Sequence, residues 1–165
     1  MFTVNDLIDI AIKMEKNGEA LYLASRQKVL SRQLKSLLQW MAEEEAAHCE
    51  WFADKKGKWT SDAGQTDLET MLPDVIKEMM GEKTLSLDDV DFSRIRSAGS
   101  LLETFMNFEK DTILFYEFLQ AFVNDSTALK GLKKIIEEEK KHVAELKEMI
   151  RAIAQKKVRE QTIEF

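Results

Sequence analysis

The chain has 165 residues, which is enough for one domain with a substantial hydrophobic core. Its net charge of -6 and pI of about 5.1 argue against nucleic acid or an anionic membrane as the main partner, because both attract clustered lysine and arginine. Glycine occurs 6 times and proline once, so the composition favours an all-α fold. We expect a cytoplasmic protein, since the sequence shows neither a signal peptide nor a long apolar run. The single cysteine, Cys49, excludes an intramolecular disulfide.

The first half of the chain predicts a helical hairpin over 5–56. A helix is expected over 5–28, because Thr3 and Asp6 have the spacing of a capping box. A second helix is expected over 31–56 and should end at Gly57. Candidate inward-facing residues recur at helical spacing on both helices: Leu7, Ile8, Ala11, Ile12, Glu15 and Tyr22, then Leu34, Leu38, Met41, Glu45, His48 and Phe52.

The last third predicts a second hairpin over 100–157. Ser100, with Glu103 three residues later, predicts the start of a third helix, and the polar run 124–126 should end it. A fourth helix is expected from about Thr127 toward Lys157. The inward-facing residues of this hairpin are Leu102, Phe105, Glu109, Thr112, Tyr116 and Leu119, then Leu132, Ile135, Glu139, His142, Leu146, Met149 and Ile153.

The connection over 57–99 is too long for a bare loop in a compact domain. Thr66 and Glu69 predict a helix that runs to Met80, with Pro73 bending or starting it, and a short turn is expected near Asp89. A long crossover of this kind joins parallel halves, as in ferritin-like four-helix bundles. We therefore expect residues 1–165 to form a single ferritin-like domain.

An internal repeat with an offset of 94 positions relates the two hairpins. In both copies the same polar residues recur with the same spacing. The paired segments are Glu43-Glu44-Glu45-Ala46-Ala47-His48 with Glu137-Glu138-Glu139-Lys140-Lys141-His142, and Glu15-Lys16 plus Tyr22 with Glu109-Lys110 plus Tyr116.

The repeated residues include glutamate and histidine, two residue types that commonly bind metal ions. In each Glu-x-x-His motif the carboxylate and the imidazole share one helix face. The glutamate of the preceding helix lies on an apolar stripe, where an ionised carboxylate is costly unless it is paired or coordinated. Two divalent cations would neutralise four such glutamates and leave two neutral imidazoles as ligands. The predicted metal ligands are Glu15, Glu45, His48, Glu109, Glu139 and His142.

A Glu-x-x-His motif alone is common by chance on a charged helix, but here both histidines of the chain occur in one at matched positions. Glu19 is an alternative ligand one turn from Glu15. Its repeat counterpart is Ile113, so a symmetric site favours Glu15. Four further glutamates are expected to be solvated surface: Glu43, Glu44, Glu137 and Glu138.

Two groups of aromatic residues allow more than one interpretation. The hydroxyls of Tyr22 and Tyr116 could hydrogen-bond a metal ligand, or the rings could serve as ordinary core packing. Trp40, Ala47 and Trp51 form a second apolar stripe, off the metal face, that could cover the crossover or a second subunit. We expect a homodimer, with this stripe or the crossover at the contact.

Over about residues 5–157 the pattern resembles the di-iron domain of rubrerythrins and related ferritin-like proteins. The resemblance implies two iron ions, for which manganese or zinc could substitute. The ligand roles that it implies are bridging carboxylates at Glu45 and Glu139, terminal carboxylates at Glu15 and Glu109, and one imidazole per metal from His48 and His142.

The resemblance also implies reduction of hydrogen peroxide or dioxygen. Full rubrerythrins carry a rubredoxin domain with four cysteines, whereas this chain has only Cys49, so an external electron donor such as a rubredoxin is expected. Rubrerythrins place an additional glutamate one turn after the third-helix ligand, and here that residue is Thr112. This departure keeps two alternatives open, a ferroxidase or iron-sequestration protein and a non-catalytic metal-binding bundle.

Overall fold

A computed structural model describes residues 3–59, 95 and 97–163, with side chains as far as Lys156. In these residues the chain forms four long helices and no strand. Their bounds are α1 Val4–Lys28, α2 Arg32–Lys55, α3 Ala98–Leu119 and α4 Ser126–Ile163, and a short 3-10 helix, Gln120–Phe122, follows α3. The predicted all-α class is confirmed. None of these helices has both the length and the apolar character that crossing a bilayer requires.

The ends of the first hairpin agree with the sequence prediction. The Thr3 backbone N–H donates to Asp6 Oδ2 at 2.6 Å, and the Asp6 N–H donates to Thr3 Oγ1 at 3.3 Å, which completes the capping box of α1. Gly57 lies just beyond α2 with a φ of 77°, a left-handed conformation that favours glycine. Its N–H donates to Asn5 Oδ1 at 2.9 Å and so ties the end of α2 to the start of α1.

The predicted start of the third helix at Ser100 is wrong by about one turn. The N-cap of α3 is Ser97, whose Oγ accepts from the Ser100 N–H at 3.1 Å. Gly99 suggested loop in the sequence, but glycine is tolerated in a first helical turn, where the backbone N–H groups need a cap in any case. Ser100 is therefore not the N-cap but the residue whose N–H is capped by Ser97.

The fourth helix begins at Ser126, one residue before the predicted position, and continues to Ile163 instead of ending near Lys157. Its start is fixed by Asp125, whose Oδ1 accepts from the Ala128 N–H at 2.6 Å. The second hairpin thus extends slightly beyond its predicted bounds at both ends.

Two buried contacts give the relative direction of α1 and α3. Tyr22 of α1 contacts Glu109 of α3, and Glu15 of α1 contacts Tyr116 of α3, so residue numbers rise along one helix as they fall along the other. Since a short turn also makes α1 and α2 antiparallel, α2 and α3 are parallel. This relation between the two hairpins is that of ferritin-like bundles. The helix expected over 66–80 and the turn near Asp89 lie outside the described residues.

The core lies between the two hairpins, with α1 packed chiefly on α2 and α3 chiefly on α4. All predicted inward-facing residues of α2 and α3 are buried, whereas Ile12, Met149 and Ile153 are only partly so. The largest fully buried side chains are Tyr22, Tyr116, Phe52, Phe105 and Phe115. These rings are packed among smaller aliphatic side chains and help to fill the interior of the bundle.

Trp40 and Trp51 are packed within the chain, so the prediction that their stripe lies off the metal face is wrong for Trp40. The Trp40 ring meets the His142 ring edge to face, with centroids 5.0 Å apart. Trp51 covers Gly131 of α4, where a Cβ atom would lie only 2.4 Å from the indole. Ala47 is exposed. The two hairpins are thus joined partly by indoles packed on α4.

This close approach predicts that Gly131→Ala destabilises the protein. Alanine in place of helical glycine gains about 1 kcal/mol of helix propensity, but overpacking against Trp51 costs about 1–3 kcal/mol. Gly99→Ala is the control, because a Cβ there meets nothing closer than Ser97 Oγ at 4.0 Å. In thermal unfolding followed by circular dichroism, Gly131→Ala should lower the melting temperature and Gly99→Ala should leave it equal or higher. A stabilised Gly131→Ala protein would contradict the packing described.

Candidate metal centre

Each of the four helices contributes one buried glutamate to a single cluster, and α2 and α4 each add a histidine. The exposed fraction of every one of these side chains is 4% or less. The structure brings together all six predicted ligands: Glu15, Glu45, His48, Glu109, Glu139 and His142. The alternative Glu19 belongs to neither of the two potential ligand groups found in the described residues.

Two of the carboxylates each face both histidines. Glu139 Oε1 lies 2.9 Å from His48 Nδ1, and its Oε2 lies 3.0 Å from His142 Nδ1. Glu45 is arranged in the same way, with Oε2 3.9 Å from His48 Nδ1 and Oε1 3.5 Å from His142 Nδ1. This placement, with one oxygen toward each side, is that of bridging carboxylates.

The other two carboxylates each approach one histidine only. Glu15 Oε2 lies 3.7 Å from His48 Nδ1, and Glu109 Oε1 lies 3.5 Å from His142 Nδ1. The cluster therefore divides into two overlapping groups that share Glu45 and Glu139, and within each group the potential ligand atoms lie within 4.8 Å of one another. Each group could hold one metal ion.

The donor atoms at the centre lack hydrogen-bond partners. They are buried but unpaired: Glu15 Oε2, Glu45 Oε1, His48 Nδ1, Glu109 Oε2, Glu139 Oε1 and Oε2, and His142 Nδ1. The short approaches of Glu139 to the two imidazoles are thus contacts without the orientation of a hydrogen bond. Buried polar atoms are normally satisfied, and leaving so many unpaired in one place is unfavourable unless a cation binds them. These residues fit a pair of metal ions.

Electrostatic strain is visible in the carboxyl pKa values. Burial, followed by the charges of Glu139, Glu15 and Glu109, raises the pKa of Glu45 well above its usual value. Burial, followed by the charges of Glu109 and Glu15, raises the pKa of Glu139 to about 7. For Glu109, burial opposes ionisation, but the nearby His142 imidazole outweighs it and lowers the pKa. Like charges crowd the cluster, so it favours bound protons or cations.

The neighbouring carboxylates also raise the pKa values of the two histidines. Burial alone would lower the pKa of His48, but its carboxylate neighbours, Glu139 foremost, raise it well above the usual value. The pKa of His142 is raised likewise, with Glu109 the leading carboxylate against the opposing effect of burial. Metal ions at the centre would take the place of these protons, since imidazole binds a metal in its neutral form.

The two tyrosines hold the terminal carboxylates across the bundle. The Tyr22 hydroxyl donates to Glu109 Oε1, and the Tyr116 hydroxyl donates to Glu15 Oε1. Burial and then the adjacent carboxylate raise the pKa of both phenols well above the usual value, so they remain protonated donors. Both rings are also core residues, in contact with Phe105 and Phe52 respectively. The two interpretations that the sequence left open therefore hold together.

Sequence reasoning missed two residues beside the imidazoles. His48 Nε2 lies 3.0 Å from Glu138 Oε2, and His142 Nε2 lies 2.8 Å from Glu44 Oε2. A proton on Nε2 donates to the outer carboxylate and leaves the Nδ1 lone pair for a metal. The expectation that Glu44 and Glu138 are solvated surface is therefore wrong, whereas Glu43 and Glu137 are exposed as expected. The repeat itself carried the signal, because a Glu-Glu-x-x-His sequence occurs in both copies.

Thr112 supplies no ligand to the cluster. Its hydroxyl is buried and donates to the Phe108 carbonyl of its own helix at 3.0 Å. The repeat counterpart of Thr112 is Gly18, where a Cβ would lie 3.5 Å from Glu45 Cδ. Neither residue extends the six-residue donor set.

Comparisons with known proteins agree with this geometry. A solved structure from Thermotoga maritima, assigned provisionally as a ferritin-like diiron-carboxylate protein, is similar with a TM-score of 0.65 and 24% identity over 91% of this chain and 95% of that one. At this identity the likeness establishes the fold alone. No curated protein gives a significant match. The family model described as Rubrerythrin matches residues 6–150. The chain therefore belongs to the rubrerythrin family.

Proposed function

We propose that this chain is a non-haem di-iron oxidoreductase that reduces hydrogen peroxide, or dioxygen, with electrons from an external donor. One observation carries the proposal. Buried oxygen and nitrogen atoms without hydrogen-bond partners lie together in one cluster, in which two carboxylates each face both histidines. The potential ligands are four carboxylates and two imidazoles. This combination suits iron, and also manganese or zinc. Membership of the rubrerythrin family supports iron.

In this proposal Glu45 and Glu139 would help to hold both metals, Glu15 and His48 would hold one of them, and Glu109 and His142 would hold the other. When bound, two ferrous ions supply one electron each, which together with two protons reduces one hydrogen peroxide to two waters. Tyr22 and Tyr116 hold the terminal carboxylates in place, and their phenolic protons lie at the edge of the cluster. Glu44 and Glu138 orient the two imidazoles.

The surroundings favour a small oxidant. Bulky residues near the ligands are fully buried, among them Met41, Phe52, Phe105 and Leu146. A dense apolar layer of this kind keeps bulk water and large substrates away from the cluster. With one cysteine the chain cannot build a rubredoxin-type site of four cysteines, so we place the electron donor on another protein.

One observation favours a second candidate, a ferroxidase that oxidises iron for sequestration. The resemblance to rubrerythrins implies an additional glutamate where Thr112 stands, and the Thr112 hydroxyl donates to its own helix. Without that carboxylate, redox-linked rearrangement of the ligands has less support, and dioxygen becomes the competing oxidant.

The first test of the proposal is metal stoichiometry. Purified protein should bind about two iron or manganese ions per chain, and Glu139→Gln should lose at least one because both metal positions share this carboxylate. Glu137→Gln, an exposed neighbour on the same helix, is the matched control and should keep both. Elemental analysis and helical circular dichroism would be measured together. Unchanged metal content in folded Glu139→Gln protein would refute the assignment of this residue.

Metal removal should also destabilise the protein, because it returns the cluster to mutual repulsion. Metal that binds only the folded state at 100 times its Kd adds about 2.7 kcal/mol per site, and each 1 kcal/mol raises the melting temperature of a protein this large by about 2–4 °C. Chelated and reloaded samples should therefore differ by at least several degrees in calorimetry. Equal melting temperatures would argue against a metal in the core.

The choice of oxidant separates the two candidate reactions. The di-ferrous protein should be oxidised faster by hydrogen peroxide than by an equal concentration of dioxygen, and turnover should require an added donor such as a reduced rubredoxin. Anaerobic stopped-flow mixing followed by absorbance measures both rates. Much faster oxidation by dioxygen would reject the peroxidase proposal and favour the ferroxidase.

A further inference from the structure

The two halves of the metal centre are not equivalent, although the 94-residue repeat gives every ligand a counterpart of the same type. Tyr22 and Tyr116 correspond, as do the outer glutamates Glu44 and Glu138. The correspondence fails beside the imidazoles, where Trp40 of α2 corresponds to Lys134 of α4. An indole thus stands where the other half has a cation.

On the His142 side, the partly buried Trp40 covers the imidazole. The two rings meet at 88° with centroids 5.0 Å apart, and His142 is 0% exposed. The outer carboxylate here, Glu44, makes no ion pair with a lysine or arginine in the residues that the structure describes. Within the described part of the chain, the ionic partner of Glu44 is therefore His142.

On the His48 side, the outer carboxylate has two partners. Glu138 Oε2 lies 3.0 Å from His48 Nε2, while Glu138 Oε1 lies 3.5 Å from the ammonium of Lys134. The Lys134 side chain is 77% exposed, so it extends into solvent and does not cover the imidazole as an indole does. His48 is slightly more accessible than His142, at 4%.

Both differences favour tighter metal binding on the His142 side than on the His48 side. A carboxylate that accepts from a ligand imidazole makes that imidazole a better donor to the metal, and a nearby cation weakens this effect by drawing the carboxylate charge to itself. The same cation repels a second positive ion on its own side. The indole has the opposite effect, because excluding water lowers the local dielectric and strengthens attraction between metal and carboxylate.

We propose that Trp40 and Lys134 make the two metal positions unequal, so that a divalent transition-metal ion fills the position at His142 first and more tightly, and the position at His48 second. This inference rests on the proposed two-metal centre and deepens it by assigning the more exchangeable metal to the His48 side. Trp40 acts through His142, whose ring it contacts, and Lys134 acts through Glu138, which contacts His48, so both are positioning residues.

The experiment is an anaerobic titration of metal-free protein with Co²⁺, followed by cobalt absorbance and by tryptophan fluorescence. Trp40 adjoins His142, so its emission should be quenched during the first equivalent and change little during the second. Trp40→Phe keeps an aromatic cover, so it identifies the part of the quenching due to Trp40 while preserving the order of loading.

The Lys134→Gln variant tests the electrostatic cause at an exposed position where folding is not at risk. Removing the cation should tighten the second step about 2- to 5-fold, the range typical of an exposed ion pair. The first step should stay almost unchanged. Lys133→Gln, its exposed neighbour with the same change of charge, should leave the ratio of the two dissociation constants as in the unmodified protein.

Each outcome separates this inference from the proposed function. Two equivalents that bind with a single affinity, or quenching of Trp40 only by the second, would overturn the inference while the two-metal centre stands. A Lys134→Gln protein with the same ratio as Lys133→Gln would also overturn it. Failure to bind Co²⁺ at all would reject the two-metal centre and, with it, this proposal.

Discussion

The structure depends on placing four carboxylates in the middle of a hydrophobic bundle. Glu15, Glu45, Glu109 and Glu139 are each 0–1% exposed, and their charges repel one another at short range. An isolated buried carboxylate costs several kcal/mol, and four together cost more unless cations neutralise them. The surrounding helices hold these groups close enough together for bound cations to neutralise them.

The ferritin-like topology provides that arrangement with little backbone specialisation. Because α1 and α3 run in opposite directions, each tyrosine lies opposite the terminal glutamate of the other hairpin. The relation between α2 and α4 is similar, and each outer glutamate reaches the imidazole of the other hairpin. The two glutamates bonded to tyrosines and the two imidazoles are therefore held across the interface of the two hairpins. These hydrogen bonds between the hairpins fix the candidate ligands within a core that is otherwise mainly apolar.

Most of the site could be predicted from the sequence because its signal is periodic and repeated. Residues three apart share a helix face whatever their tertiary surroundings, and the 94-residue offset identified Glu109 as the counterpart of Glu15. The helix ends were less predictable. Ser97 and Ser100 both have the chemistry of a cap, and only the path of the chain decides between them.

Contacts between the hairpins could not be read from one helix at a time. Glu44 and Glu138 lie beside the apolar stripe of their own helices, which suggested solvent, yet each faces a histidine on the opposite hairpin. The same limitation applies to Trp40, whose helix position indicated a separate surface while its ring packs on His142. Which side chains meet between two helices depends on the rotation and crossing angle of the helices, and hydrophobic periodicity gives little information about either.

The most direct test of this account is an anomalous-difference map from crystals of the iron-loaded protein. Two peaks about 3.5–4 Å apart are expected, lying between Glu45 and Glu139, with His48 Nδ1 beside one and His142 Nδ1 beside the other. A single peak, or iron bound only at surface glutamates such as Glu43 and Glu137, would contradict the account.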